Sequence, residues 1–370
     1  MPKLRILVAD DSLTMRKHLV EALRADPEFE IAGEAEDGAQ AVELCRELRP
    51  DAVTMDMMMP RMTGLEATEQ IMAYTPTPIL VVSSSFNRGE LLRTYDALAA
   101  GALDVLEKPT GLEPDNAWEK RLRATVKMIS RIRVITHPRA RLRAGARAPR
   151  ESADEAAPVS PWPAGSSDLA AFRANGEYRA VAVGTSTGGP AALVQLLGQL
   201  PASFPLPVLL VLHLGDSFEQ ALAEWLNGHS NLRVERAVDR TPLPERGRAR
   251  VILAPAGHHL ELRNGLLRLT DGPERNSCRP SVDRLFESVA SSLGPAAIGC
   301  LLTGMGRDGA TGLLEMKRAG AMTLAQDEAS SAVWGMPREA VLLDAAKFVL
   351  PLGDMARTLI HLCQPRRQPE

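Results

Sequence analysis

Ser186 in the run Gly184-Thr185-Ser186-Thr187-Gly188-Gly189-Pro190, together with His213 and Asp308, supplies the residue types of an acyl-transfer triad, in that chain order. Glycines permit a sharp turn at the serine, and Pro190 suits the first turn of a following helix. The hydroxyl then projects near the positive end of a helix dipole. This is the logic of a hydrolase nucleophile elbow, although the run is not GxSxG. Gly-rich strand-to-helix turns also bind phosphate, so the turn alone leaves both readings open. The run lacks the Walker lysine and the GxGxxG spacing, which weakens the nucleotide case. A neutral His213 can take the serine proton, and a buried Asp308 would fix its tautomer. Glycines around Met305 allow close backbone approach, so the N–H groups of Thr187 and Met305 are candidate oxyanion donors. A second constellation, Asp10, Asp11, Asp56, Ser83 and Lys108, is rich in carboxylates. Three clustered carboxylates repel unless a hard cation such as Mg²⁺ neutralises them. One of them is then a candidate phosphoryl acceptor, with the ion and the lysine offsetting charge.

Both sets depend on the elements that carry them. Residues 4–9, 31–35, 52–55, 79–82 and 104–106 read as strands, and 13–24, 39–48, 64–74, 90–100 and 116–133 as helices, the last capped by Asp115. Continuous apolar strands alternating with amphipathic helices predict a parallel sheet covered on both faces. Ligands of such sheets sit beyond the carboxyl ends of the strands. Asp10 and Asp11 end the first strand, Asp56 ends the third, Ser83 follows the fourth and Lys108 the fifth. Any one of these alone would be an ordinary loop cap. Five at the right ends of four strands point to a site.

Residues 136–178 lack periodicity, with a basic tract at 140–150 and an acidic, then proline-rich, tract at 151–163. That composition predicts a mobile tether. Alternation resumes with strands at 180–183, 208–212, 233–237, 251–254, 297–302, 322–325 and 348–350, and helices at 190–200, 218–227, 281–293, 308–319, 337–344 and 354–362. Residues 260–270 flank Asn264-Gly265, the signal of a two-residue hairpin. The expected fold is α/β: two doubly wound parallel-sheet domains, the second carrying an antiparallel hairpin. The division is 1–133, a linker at 134–177, and 178–370. Ser186, His213 and Asp308 all follow strands and share one sheet edge. His258 and His259 are rival bases beside the hairpin, flanking the expected cleft. His18, His137, His229 and His361 carry no signal.

At 370 residues the chain exceeds one ordinary core, and a 45% apolar, 24% charged composition is that of soluble globular proteins. A net charge of −3 gives no reason to expect nucleic acid. Cys45, Cys278, Cys300 and Cys363 form no CxxC pair and read as reduced, buried thiols. No apolar run approaches membrane-spanning length and no signal peptide opens the chain, so a soluble cytoplasmic protein is expected.

The acidic set and its strand positions resemble the receiver domain of two-component response regulators over residues 3–130, a flavodoxin-like (βα)5 fold. The resemblance implies that Asp56 is phosphorylated by a sensor histidine kinase. It also implies that Asp10 and Asp11 help hold Mg²⁺, and that Ser83 and Lys108 register the phosphoryl group. Phe86, Tyr95 and the 98–103 segment read as packing. Residues 180–365 resemble the Rossmann-like catalytic domain of chemotaxis protein-glutamate methylesterases. The matching segments are 184–190, Arg279-Pro280-Ser281-Val282-Asp283-Arg284-Leu285-Phe286, 301–312, and Ala325-Gln326-Asp327-Glu328 through Gly335-Met336-Pro337. By position Ser186, His213 and Asp308 fall on that family's triad. The implied activity is hydrolysis of glutamyl methyl esters on chemoreceptors, with deamidation of receptor glutamines. The implied control is a receiver that covers the cleft until phosphorylated.

Two segments depart from the family pattern. Leu212-His213-Leu214-Gly215 stands where Gln-His-Met-Pro is usual, and Ala254-Pro255-Ala256-Gly257-His258-His259 where Ala-Pro-Gly-Gly is usual. Neither removes a triad residue. A paralogue serving receptors outside locomotion, a receptor-binding module without turnover, and an esterase for small soluble esters stay open on these residues alone.

Overall fold

The computed structural model describes residues 3–84, 88–109, 111, 116–132, 134, 178–214, 218 and 221–363. The chain divides into two compact units, Met1–Arg150 and Glu151–Glu370. Apart from Val134, the predicted linker at 134–177 lies outside the described residues, as do His137, Phe86 and Asp115. Among the described residues no helix is long and apolar enough to cross a membrane.

The first unit alternates β1 (Leu4–Ala9), α1 (Leu13–Arg24), β2 (Phe29–Ala35), α2 (Gly38–Leu48), β3 (Ala52–Met55), α3 (Gly64–Tyr74), β4 (Ile79–Ser83), α4 (Arg88–Ala99), β5 (Asp104–Glu107) and α5 (Ala117–Ile129). The strands form one parallel sheet in the order β2-β1-β3-β4-β5. All four residues of β3 and all five of β4 are buried, as continuous apolar strands require when helices cover both faces. Local chemistry sets the helix starts. Ser12 and Asp37 accept from Met15 and Gln40 backbone N–H groups, and Thr63 with Glu66 closes a capping box. The helix α5 departs from expectation: Asn116 precedes it in a left-handed conformation (φ 55°) with no side-chain cap bond. Tyr95, Leu98, Ala102 and Leu103 are buried, in keeping with their reading as packing.

The second unit runs β6 (Ala180–Thr185), α6 (Gly189–Gln199), β7 (Val208–Leu212), α7 (Leu222–His229), β8 (Val234–Arg236), β9 (Val251–Leu253), β10 (His259–Arg263), β11 (Leu266–Thr270), α8 (Val282–Leu293), β12 (Ala297–Leu301), α9 (Ala310–Arg318), β13 (Met322–Gln326), α10 (Met336–Leu342), β14 (Phe348–Leu350) and α11 (Leu352–Leu362). Seven parallel strands take the order β14-β13-β12-β6-β7-β9-β8. Strand β6 lies between β12 and β7, so the chain builds outward from it in both directions. That is a topological switch point, where the loops at the strand ends part to leave a crevice. Strands β10 and β11 form the expected antiparallel hairpin, with Asn264 (φ 52°) and Gly265 (φ 75°) both left-handed at its tip. The helix expected at 218–227 begins later, at Leu222, and Phe218 is buried ahead of it.

The hairpin anchors α8. Leu260, Leu262 and Leu267 share one core with Leu285, Phe286 and Val289, and each such buried side chain stabilises by about 1.5–3 kcal/mol. Leu262 N–H donates to Ser288 Oγ at 2.9 Å, and Ser292 Oγ donates to the Leu262 carbonyl at 2.6 Å. These bonds tie the second half of α8 to the hairpin.

Candidate active site

Strand β6 delivers Ser186 to the switch point. Ser186 N–H donates to the Thr303 carbonyl at 3.0 Å, and Gly189 N–H to the Ser186 carbonyl at 2.7 Å, which bends the chain sharply. Gly188, at φ 76°, caps α6. Close approach from the neighbouring loop is possible because residue 304 is glycine. A Cβ there would lie 2.8 Å from Ser186 Cβ and 2.3 Å from Met336 Sδ. Neither Thr187 N–H nor Met305 N–H donates to another described residue, so both backbone donors are free at this edge.

His213 follows β7 and is tied to the same edge through its own N–H, 3.1 Å from the Thr185 carbonyl. Its Nε2 lies 3.0 Å from Asp308 Oδ2. Asp308 follows β12 and faces the N-terminus of α8. Its Oδ2 also accepts from Val282 N–H at 2.7 Å, while Oδ1 accepts from Ser281 Oγ at 2.8 Å, Asn276 Nδ2 at 3.0 Å and Asp283 N–H at 3.2 Å. Burial alone would push the Asp308 carboxyl up. Its bond to His213 and that charge, with Asn276 and Ser281, outweigh burial and hold it below the usual range. Burial would likewise push His213 down, but bonds to Asp308 and Cys278 outweigh it, and the imidazole rises to about 9. An ionised Asp308 can only accept, so the neutral form of His213 carries its proton on Nε2 and presents an open Nδ1. No hydrogen bond joins Ser186 Oγ to His213; Nδ1 faces Cys278 Sγ at 3.8 Å.

His259, one of the rival bases, is fully buried with both ring nitrogens engaged. Ser281 N–H donates to its Nδ1 at 3.2 Å, so Nε2 donates to the Pro273 carbonyl at 3.1 Å. It supports Ser281, which in turn supports Asp308. His258 is exposed, 3.3 Å from the Ala256 carbonyl. Sequence reasoning missed Asn276, whose amide donates to both Asp308 and Asp283 (3.0 and 2.9 Å). It also overlooked Ser281 as a partner of Asp308; the only signal was its place as a cap before an apolar helical run. The expectation of four buried thiols needs correcting at Cys278, which is half-buried while Cys45, Cys300 and Cys363 are buried. Its loop packs against the cleft rather than into a core.

The acidic set of the first unit also comes together. Asp10, Asp11 and Asp56 place carboxylate oxygens within 4.8 Å of one another, with Asp10 and Asp56 buried and Asp11 exposed. Lys108 Nζ lies 3.0 Å from Asp10 Oδ2 and 3.0 Å from Asp56 Oδ1. Burial first, and then the Asp10 charge, lift Asp56 to about 6 against the opposing pull of Lys108. A single ammonium therefore undercompensates the cluster, and an all-oxygen donor set of this kind fits a hard divalent ion. Ser83 is already engaged: its hydroxyl donates to Glu90 Oε1 at 2.7 Å and accepts from Thr94 Oγ1 at 3.2 Å. Ser84 adds two further bonds to the Glu90 carboxylate, from N–H at 2.8 Å and from Oγ at 2.7 Å.

Comparison with known proteins follows the same division. Residues 181–359 match the family model described as CheB methylesterase, and residues 6–114 that of the response regulator receiver domain. A Myxococcus xanthus protein-glutamate methylesterase/protein-glutamine glutaminase is 45% identical, covering 96% of both chains. One from Anaeromyxobacter dehalogenans is 42% identical, covering 97% of both. The crystal structure of the Thermotoga maritima CheB methylesterase catalytic domain is 33% identical, covers 50% of this chain and all of that one, and superposes with a TM-score of 0.48. The chain belongs to the CheB methylesterase family, with a response regulator receiver domain preceding its hydrolase domain.

Proposed function

We propose that the chain hydrolyses methyl esters of glutamate side chains on methyl-accepting chemoreceptors, releasing methanol, deamidates receptor glutamines, and is activated by phosphorylation at Asp56. Relatives spanning almost the whole chain carry both activities in their names. The observation that carries the residue assignment is the 3.0 Å contact between His213 and Asp308 at the switch point that also presents Ser186.

Ser186 Oγ attacks the ester carbonyl while His213 Nδ1 takes its proton, and Asp308 stabilises the imidazolium through Nε2. The free N–H groups of Thr187 and Met305 receive the developing oxyanion. The Nδ1 proton passes to the departing methoxide, giving methanol. Nδ1 next deprotonates water, which attacks the acyl-serine and releases glutamate. A glutamine substrate follows the same steps with ammonia as the leaving group.

In the receiver, Asp56 accepts the phosphoryl group from a chemotaxis-type sensor histidine kinase. Asp10, Asp11 and Asp56 would hold Mg²⁺, which when bound supplies positive charge against the phosphoryl oxygens. Ser83 and Lys108 register the group on the carboxylate. Residues 134–177 are the linker between domains at 1–133 and 178–370. The reaction belongs to the cytoplasm, where a kinase and receptor signalling helices meet.

Methanol release from methylated receptor fragments, with and without a small acyl phosphate donor, tests the reading. Ser186→Ala lowers the rate by at least about a thousandfold; turnover retained in that variant defeats the catalytic assignment. Asp56→Ala removes the response to the donor; an undiminished response defeats the regulatory one.

A further inference from the structure

The open nitrogen of His213 faces a thiol. Cys278 Sγ lies 3.8 Å from Nδ1, within reach for sulfur, while Asp308 holds the opposite nitrogen. One ligand atom from each of His213, Cys278 and Asp308 falls within 4.8 Å of the others. Asp308 has no capacity left for a cation, since its two oxygens already accept five hydrogen bonds. The cluster is instead arranged as a thiol, a base and an orienting carboxylate, the relay that activates a cysteine. Cys278 lines a cavity of about 490 Å³ with Asn276, Met305, Arg307 and Asp308, so a small molecule can reach it. The other three cysteines are buried.

We propose that Cys278 is a modification site: a thiol activated by His213, open to small disulfides and other soft electrophiles, whose modification shuts off ester hydrolysis. This rests on the reading of His213 as the base of the esterase. In the neutral form of His213 the thiol proton moves to Nδ1, and the thiolate attacks one sulfur of the disulfide. The old S–S bond breaks as the Cys278 mixed disulfide forms, and the departing thiolate takes the proton back from Nδ1. The adduct then stands against the nitrogen that Ser186 needs. The raised basicity of His213, to which Cys278 contributes, agrees with a partnered imidazole.

The full chain is treated with the aromatic disulfide dithiobis-nitrobenzoate at neutral pH, following thiol release, the labelled peptide by mass, and residual methanol release. Expected are one label on Cys278, activity lost in step with labelling and restored by reductant, and labelling slowed about tenfold or more in His213→Gln. Cys278→Ser, compared with its own starting activity, loses nothing on treatment. Equal labelling rates in the unaltered chain and a folded His213→Gln would overturn the proposal, as would full activity with Cys278 fully labelled. Should His213→Gln unfold and expose every thiol, a comparison within the unaltered chain decides. Labelling of Cys278 about tenfold or more faster than that of the thiols of the urea-unfolded chain at the same pH supports the relay, and an equal or slower rate overturns it. Labelling is read independently of turnover, so a chain that labels as expected but hydrolyses no ester defeats only the esterase reading.

Discussion

The Asp308 carboxylate accepts five hydrogen bonds, and their geometry dictates which proton His213 holds. Asp308→Asn exchanges an all-acceptor group for one with two donors, facing the backbone N–H groups of Val282 and Asp283. It also favours the wrong tautomer of His213. The expected loss in kcat is about ten-thousandfold. A drop of about 1–3 kcal/mol in stability, read from urea midpoints, comes from the buried donors left unpaired. The pH behaviour of His213 follows from its rise from 6.5 to about 9. A base must be neutral, so kcat/KM for ester hydrolysis should climb with pH and level off near 9; a plateau already reached near 6.5 would refute the partnership with Asp308. Stability takes the opposite sign. The group gains a proton's worth of binding on folding, so its contribution is full below about 6.5 and is lost as pH rises through about 9.

Strand ends and turns carry the site. At Gly304 an added Cβ would press on Ser186 Cβ and Met336 Sδ, so Gly304→Ala should displace the nucleophile turn. Misplacement by about 1 Å lowers turnover on the order of a hundredfold, and fluorophosphonate labelling of Ser186 should slow in parallel while the fold persists by circular dichroism. The strand-to-helix alternation made Asp10, Asp56, Ser186, His213 and Asp308 legible, because each follows a buried apolar run whose end is set by the pattern. Asn276 and Cys278 were not legible. They lie in a loop without periodicity, where Asn276 and Ser277 are both left-handed (φ 52° and 59°), and only the fold brings that loop to His213. The same holds for Glu90, whose meeting with Ser83 depends on how α4 lies against β4.

At the scale of the whole chain, a receiver and a hydrolase each present their reactive side chains at the carboxyl edge of a parallel sheet. With a saturating acyl phosphate donor, the full chain should release methanol faster than without it, and Lys108→Ala should blunt that gain while leaving the basal rate in place. Measuring both rates separates signal reception from ester chemistry. The bond from Ser83 to Glu90 bears on how sharply such a chain answers its input. Ser83 does not wait idle, because a carboxylate of the same domain already occupies its hydroxyl and draws in Ser84 as well. On the proposed role of Ser83, that carboxylate is an internal competitor, and the apparent affinity for the activating signal would fall by the fraction of molecules it holds. Glu90→Gln weakens the competitor, so the donor titration should reach half-maximal activity at a lower concentration, with the ceiling unchanged. The set-point of the response would then rest on one side chain of α4, adjustable without touching either Asp56 or the esterase.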